Sequence, residues 1–156
     1  MSVELLQKLN DALEQERKHL GFYLYHASAV IGLHAQEYSE FLFEQAKSEL
    51  EHVKQFQDLL LGLGASLSLG SKAFPVYENI EYTMSYALLI ETEVVENYTA
   101  LIASLDSVPV VTLTTADGGP QPVGLTAADL KWIEIFLEKQ IEDSRQDLDR
   151  IKRILA

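Results

Sequence analysis

Four stretches of this chain, each roughly 24–30 residues long, carry apolar residues at helical spacing, and every proline falls in the segments between them. From Ser2 to about Ile31 the stripe runs through Leu5, Leu9, Leu13, Leu20, Tyr23, Ala27 and Val30, and from about Gln36 to Leu61 through Leu42, Ala46, Val53, Phe56 and Leu60. A third helix is expected from Tyr82 to Leu105. A fourth is expected from Ala127 to the C-terminus, behind the cap Thr126 with Asp129 three residues on. An amphipathic helix must bury its stripe, so four of them predict an all-α four-helix bundle, one domain over residues 1–156.

The connections carry topological information. A helix of about 28 residues is ~42 Å long, and the segment from Leu63 to about Glu81, some 18 residues at up to ~3.3 Å each, can travel back along it. A long crossover that leaves helices two and three parallel is therefore expected. Residues Asp106 to Leu125 read Val-Pro-Val-Val-Thr-Leu-Thr-Thr and then Ala-Asp-Gly-Gly-Pro-Gln-Pro, which suggests an inserted loop or hairpin between helices three and four.

Composition narrows the chemistry. At 156 residues with 47% apolar and 23% charged residues, the chain can build a core of its own. It has no cysteine, so thiolate zinc sites, iron–sulfur clusters and thiol nucleophiles are excluded, and any metal must be held by oxygen and nitrogen. A net charge of −12 repels phosphate backbones and anionic lipid and attracts cations, so neither nucleic acid nor membrane is an expected partner. The N-terminus shows no basic stretch followed by an apolar run, which sets a cytoplasmic location as the expectation.

The stripes themselves are interrupted by acids. Glu16 stands on helix one where the period demands an apolar residue, and Glu49 and His52 do the same between Ala46 and Phe56, three residues apart on one face. Helix three carries Glu93 and Glu96, read on the face of Leu89, and helix four carries Gln140 and Asp143, read on the face of Phe136. Unpaired inward carboxylates on four helices need compensating positive charge, and two divalent cations would supply it. The alternative is that these acids lie on exposed edges or form a polar network with Lys47, Lys54 and Lys139.

These motifs resemble the ferritin family. Leu9-Asn10-x-x-Leu13-x-x-Glu16 followed by Tyr23 is similar to its first-helix signature, and Glu49-x-x-His52, 33 residues beyond Glu16, to its second-helix pair. The resemblance implies a di-iron centre with Glu16 as terminal ligand of the first iron, Glu49 as bridge and His52 completing the first site. In Glu91-Thr92-x-x-x-Glu96 it implies Glu96, in preference to Glu93, for the second iron. Gln140 stands where non-haem ferritins carry Gln, with Asp143 in place of a nearby Glu, and Tyr23 is either an electron or hydrogen-bond donor beside the site or a buried core tyrosine. His19 mimics a Glu-x-x-His with Glu16, but the family does not use that position; His19, His26 and His34 are accordingly assigned to the surface or to packing.

The implied function is ferroxidation of Fe(II) by O2 or H2O2, with iron storage in a homo-oligomer. Two alternatives stand beside it: a small non-cage diiron oxidase or peroxidase, and a metal-free helical interaction module. Three departures from the family concern assembly and cofactors. The connection from helix three to helix four is longer than usual, the chain ends 16 residues after Gln140 without room for a fifth helix, and Leu50 beside Glu49 replaces the methionine that binds haem in bacterioferritins, so no haem is expected.

Overall fold

The computed structural model describes residues 2–111 and 124–156. Four helices form as the stripes require: α1 (Ser2–Ala29), α2 (Ala35–Gly62), α3 (Ile80–Ser104) and α4 (Ala127–Leu155), with one 3-10 turn (Leu105–Ser107) extending the end of α3. Local chemistry fixes the starts of α3 and α4. The Asn79 side chain accepts from the N–H groups of Glu81 and Tyr82. The Thr126 hydroxyl accepts from the Asp129 N–H at 3.1 Å while the Asp129 carboxylate accepts from the Thr126 N–H at 2.9 Å, a reciprocal cap that stabilises by about 1 kcal/mol. A left-handed turn through Gly32 (φ 103°) and His34 (φ 66°) joins α1 to α2, and the two helices pack as an antiparallel pair; α3 and α4 form the second pair.

The crossover is pinned to α1 in sequence order. Asn10 donates to the Ser66 carbonyl, Arg17 to the carbonyls of Ser68 and Gly70, and His26 accepts from the Tyr77 N–H at 3.1 Å. Between Asn10 and His26 the chain climbs about 24 Å at ~1.5 Å per residue, so the segment from Ser66 to Tyr77 runs the same way as α1. It therefore delivers α3 to the end where α2 began, and α2 and α3 are parallel as expected. Gly21, in the middle of α1, makes room for it: a Cβ there would meet the Phe74 ring at 2.7 Å.

The expected hairpin falls mostly on residues 112–123, outside the described residues. At its base the Val111 N–H donates to the Leu125 carbonyl at 2.9 Å, which closes the mouth of the connection.

Two apolar clusters fill the bundle. One gathers Leu9, Leu13, Phe56, Leu60, Leu101, Ile133 and Leu137, and the other Phe22, Leu42, Met84, Ile90 and Ile151. Each helix passes from one cluster to the other. Where it crosses the middle it contributes polar side chains: Glu16 and His19 on α1, Gln45, Glu49 and His52 on α2, Glu91 on α3, and Gln140, Ser144 and Asp147 on α4, all buried.

Candidate metal centre

The polar layer is organised around Glu49. His52 Nδ1 lies 3.4 Å from Glu49 Oε2 and 3.7 Å from Glu16 Oε2, so the Glu-x-x-His spacing does place both side chains on one inward face. On the other side of the α1 carboxylate, His19 Nδ1 lies 3.9 Å from Glu16 Oε2, and Glu16, His19 and Glu49 each offer a donor atom within 4.8 Å of the others.

Tyrosines position two of the acids. The Tyr98 hydroxyl donates to Glu16 Oε1 at 2.5 Å, and the Tyr23 hydroxyl to Glu91 Oε1 at 2.9 Å. Gln45 donates to Asp147 Oδ1 at 3.3 Å, and Ser144 contacts Glu91. Each tyrosine fixes one oxygen of its carboxylate and leaves the second, Glu16 Oε2 and Glu91 Oε2, buried without a hydrogen-bond partner. His19 Nδ1 is in the same condition. A buried unpaired acceptor costs about 1–3 kcal/mol, so several of them facing one layer are a poor stability device and are groups of the kind that could hold a cation.

The charges are correspondingly strained. Burial would raise the Glu16 carboxyl, but its contacts with Glu49 and His52 and the field of both histidines hold it below the usual carboxylate range. Burial and the Glu16 charge push Glu49 well up. Burial opposes the His52 charge, yet Glu16 and Glu49 outweigh it and raise the imidazole to about 11. Burial and Asp147 raise Glu91 to about 8, and burial lowers His19 to about 4. At neutral pH the metal-free layer thus carries protons on His52 and Glu91, while His19 is a neutral imidazole. The lysines that a polar network would need lie outside: Lys47 pairs with Glu44 and Lys54 with Asp58 on exposed surface, and Lys139 reaches only Asp143, at 3.9 Å.

Glu16, Glu49, His52 and Tyr23 stand where the sequence placed them. Helix three does not. Glu93 and Glu96 are exposed, and so is Leu89, at 48%, against which their face was read; the buried face of α3 runs Thr83, Met84, Ala87, Ile90, Glu91, Val94 and Tyr98. Glu91 is therefore the inward acid. On α4, Gln140 is buried, but its amide donates to Gln55 at 2.9 Å, with no described hydrogen bond to the carboxylates. Asp143 is only partly buried and lies 3.4 Å from His52 Nε2, the nitrogen turned away from Glu49 and Glu16; it orients the imidazole from behind instead of facing the ion site. Asp147 and Ser144 take the inward positions. Extending the stripe Ile133, Leu137, Gln140 at its 4-3 rhythm to Ile151 passes through both, and this signal was available in the sequence. His19 and His26 are both buried, at 3% and 2%; His26 is a packing residue bonded to the Phe22 carbonyl and the Tyr77 N–H, whereas His19 belongs to the polar layer, and His34 is exposed.

The profile of the ferritin-like domain matches residues 6–111 of this chain. No curated protein matches it by sequence. In fold it is similar to a ferritin-like, diiron-carboxylate protein from Bacillus anthracis, with a TM-score of 0.81 at 18% identity, covering 99% of this chain and 97% of that one. It is also similar to the bacterioferritin BfrA of Mycobacterium tuberculosis, with a TM-score of 0.77 at 15% identity over 96% and 82% of the two chains. Against a dodecameric thioferritin, the bacterioferritin-related protein of Bacteroides fragilis, the TM-score is 0.61 at 18% identity over 99% and 89%.

Proposed function

The chain belongs to the ferritin-like domain family, and from that premise we propose that the polar layer binds two ferrous ions and oxidises them. The observation that carries this reading is the pair of unpartnered, inward carboxylate oxygens on Glu16 and Glu91, with Glu49 lying in the field of both. Glu16, Glu49 and His52 hold the first ion. Glu49 is shared, and Glu91 and Asp147 hold the second, with Ser144 in contact with Glu91.

Oxygen and imidazole donors suit ferrous and ferric iron alike, and helices fix the two ions at a set separation. Each Fe(II) gives up one electron, and O2 takes the pair with two protons to become H2O2, or H2O2 takes it with two protons to become two waters. The protein's part is positional and protonic. Tyr98 and Tyr23 keep Glu16 and Glu91 aimed inward, Asp143 holds the outer nitrogen of His52, and the protons on His52 and Glu91 leave as the cations arrive. The apolar clusters above and below keep bulk water from the layer.

Assembly into a homo-oligomer and iron storage belong to the same reading. Leu24, Phe43 and Leu50 are exposed at 47%, 47% and 58% on α1 and α2, an apolar face suited to another copy of the chain. A second reading, a small diiron oxidase without a shell, is favoured by one feature: a groove of about 350 Å³ between α1 and α3 whose lining includes Asp11, Glu93, His19 and Tyr98 and which reaches the layer from outside.

Both readings are tested by loading the metal-free protein anaerobically with Fe(II) and then admitting oxygen while absorbance and particle mass are followed. Two irons per chain, rapid oxidation and further iron retained in a large particle support the storage reading. Two irons in a small oligomer support the oxidase, and no iron bound refutes both.

A further inference from the structure

The groove between α1 and α3 ends on a side chain that the two-iron reading leaves unused. His19 is 3% exposed, its Nδ1 has no hydrogen-bond partner, and that atom faces Glu16 Oε2, the same unpartnered oxygen that His52 faces from α2. A buried imidazole nitrogen without a partner is rare, and neither packing nor catalysis by the other residues accounts for it. His52 Nδ1 lies 3.4 Å from Glu49 Oε2 and 3.7 Å from Glu16 Oε2, and Glu16, His19 and Glu49 each offer a donor atom within 4.8 Å of the others, so both imidazoles border the same two carboxylates.

We propose that His19 is a fourth protein ligand of the first metal, which makes the centre chemically asymmetric: two imidazoles and two carboxylates at one position, oxygen donors alone at the other. The proposal rests on the two-metal reading above. It adds a consequence which that reading lacks. Imidazole-rich sites favour Fe(II), Co(II) and Zn(II), whereas carboxylate sites are less selective and bind such ions more weakly, so the two positions fill in order, the one beside His19 first. His19 is also among the residues that line the groove, with Asp11 and Glu93 balanced there by Lys8 and Lys72.

Zinc, which does not oxidise, separates binding from catalysis. Calorimetric titration of the metal-free protein at pH 7 is expected to show a tight and a weaker step. In His19→Ala and in His19→Gln, both checked for an unchanged helical spectrum, the tight step should weaken at least about tenfold, with the weaker step within a factor of two. An unchanged tight step overturns the proposal. X-ray absorption of wild-type protein carrying one zinc reads the ligands without any substitution: two imidazoles per zinc are expected, and one imidazole overturns it. Two unperturbed binding steps in the variants would leave the two-metal reading standing without His19; a wild-type protein that takes up no zinc, iron or cobalt removes that reading as well.

Discussion

Replacing Glu91 with glutamine should make the metal-free protein more stable at pH 6 and more so at pH 8, while changing little near pH 4. Glu91 is 1% exposed, and burial and Asp147 raise its carboxyl from 4.5 to about 8. An acid whose folded-state value lies above its unfolded value keeps its proton in the native state after the unfolded chain has lost it. Stability from that group therefore falls as pH rises from about 4.5 to about 8, by about 1.4 kcal/mol per unit. Between pH 6 and pH 8 the loss is about 2 kcal/mol, because the slope flattens as the folded-state value is reached, or roughly 4–8 °C in Tm for a chain of this size. Glutamine cannot ionise, and it can still accept from Tyr23, so Glu91→Gln removes this part of the slope. Urea melts of both proteins in chelator at the two pH values measure it. Equal slopes in the two proteins would refute the assignment of Glu91 to a desolvated position beside Asp147, as would a Glu91→Gln variant less stable than the wild type at pH 8.

Uptake of two cations at pH 7 should release about two protons per chain, because His52 and Glu91 hold protons in the metal-free layer; affinity should accordingly fall as pH is lowered, and a weakly buffered titration counts the protons. Glu49→Gln should lower the rate of Fe(II) oxidation by about 100-fold or more, since it removes the shared ligand, whereas Glu96→Gln on the exposed side of α3 should leave the rate within about twofold, both read from oxygen consumption. Tyr98→Phe deletes the donor to Glu16 and leaves a second oxygen of that carboxylate unpartnered, at an expected cost of about 1–3 kcal/mol in the metal-free protein, measured by denaturant midpoint.

The bundle was legible because burial enforces periodicity: Leu9, Leu13, Phe56, Leu60, Ile133 and Leu137 repeat at 3.6 residues and all end below 2% exposure. The crossover direction was legible from length alone, though its anchoring by Asn10, Arg17 and Gly21 was not, since those contacts span more than 50 residues of sequence. Glu16, Glu49 and His52 could be found because each interrupts a clear stripe. Glu91 was hidden by the opposite circumstance. The run Ala87-Leu88-Leu89-Ile90 is apolar all round, so the pattern does not say which face is inward, and Leu89 turned out to face solvent. On α4 Asp143 stands three residues from Gln140 and fits one helical turn as well as Ser144 does, so local spacing alone does not lead to Asp147, seven residues on. His19 lies three residues from Glu16 on the same face, and its burial follows from that place on the stripe.

The central claim is that this layer holds two metal ions. Anomalous diffraction from crystals of the metal-free protein soaked anaerobically with Fe(II) tests it most directly. Two peaks about 3.5–4 Å apart are expected, one against Glu16 and His52 and the other against Glu91 and Asp147, with Glu49 between them. A layer that stays free of iron while the soak titrates exposed acids elsewhere, or a single peak beside Glu96 on the outer face of α3, would contradict it.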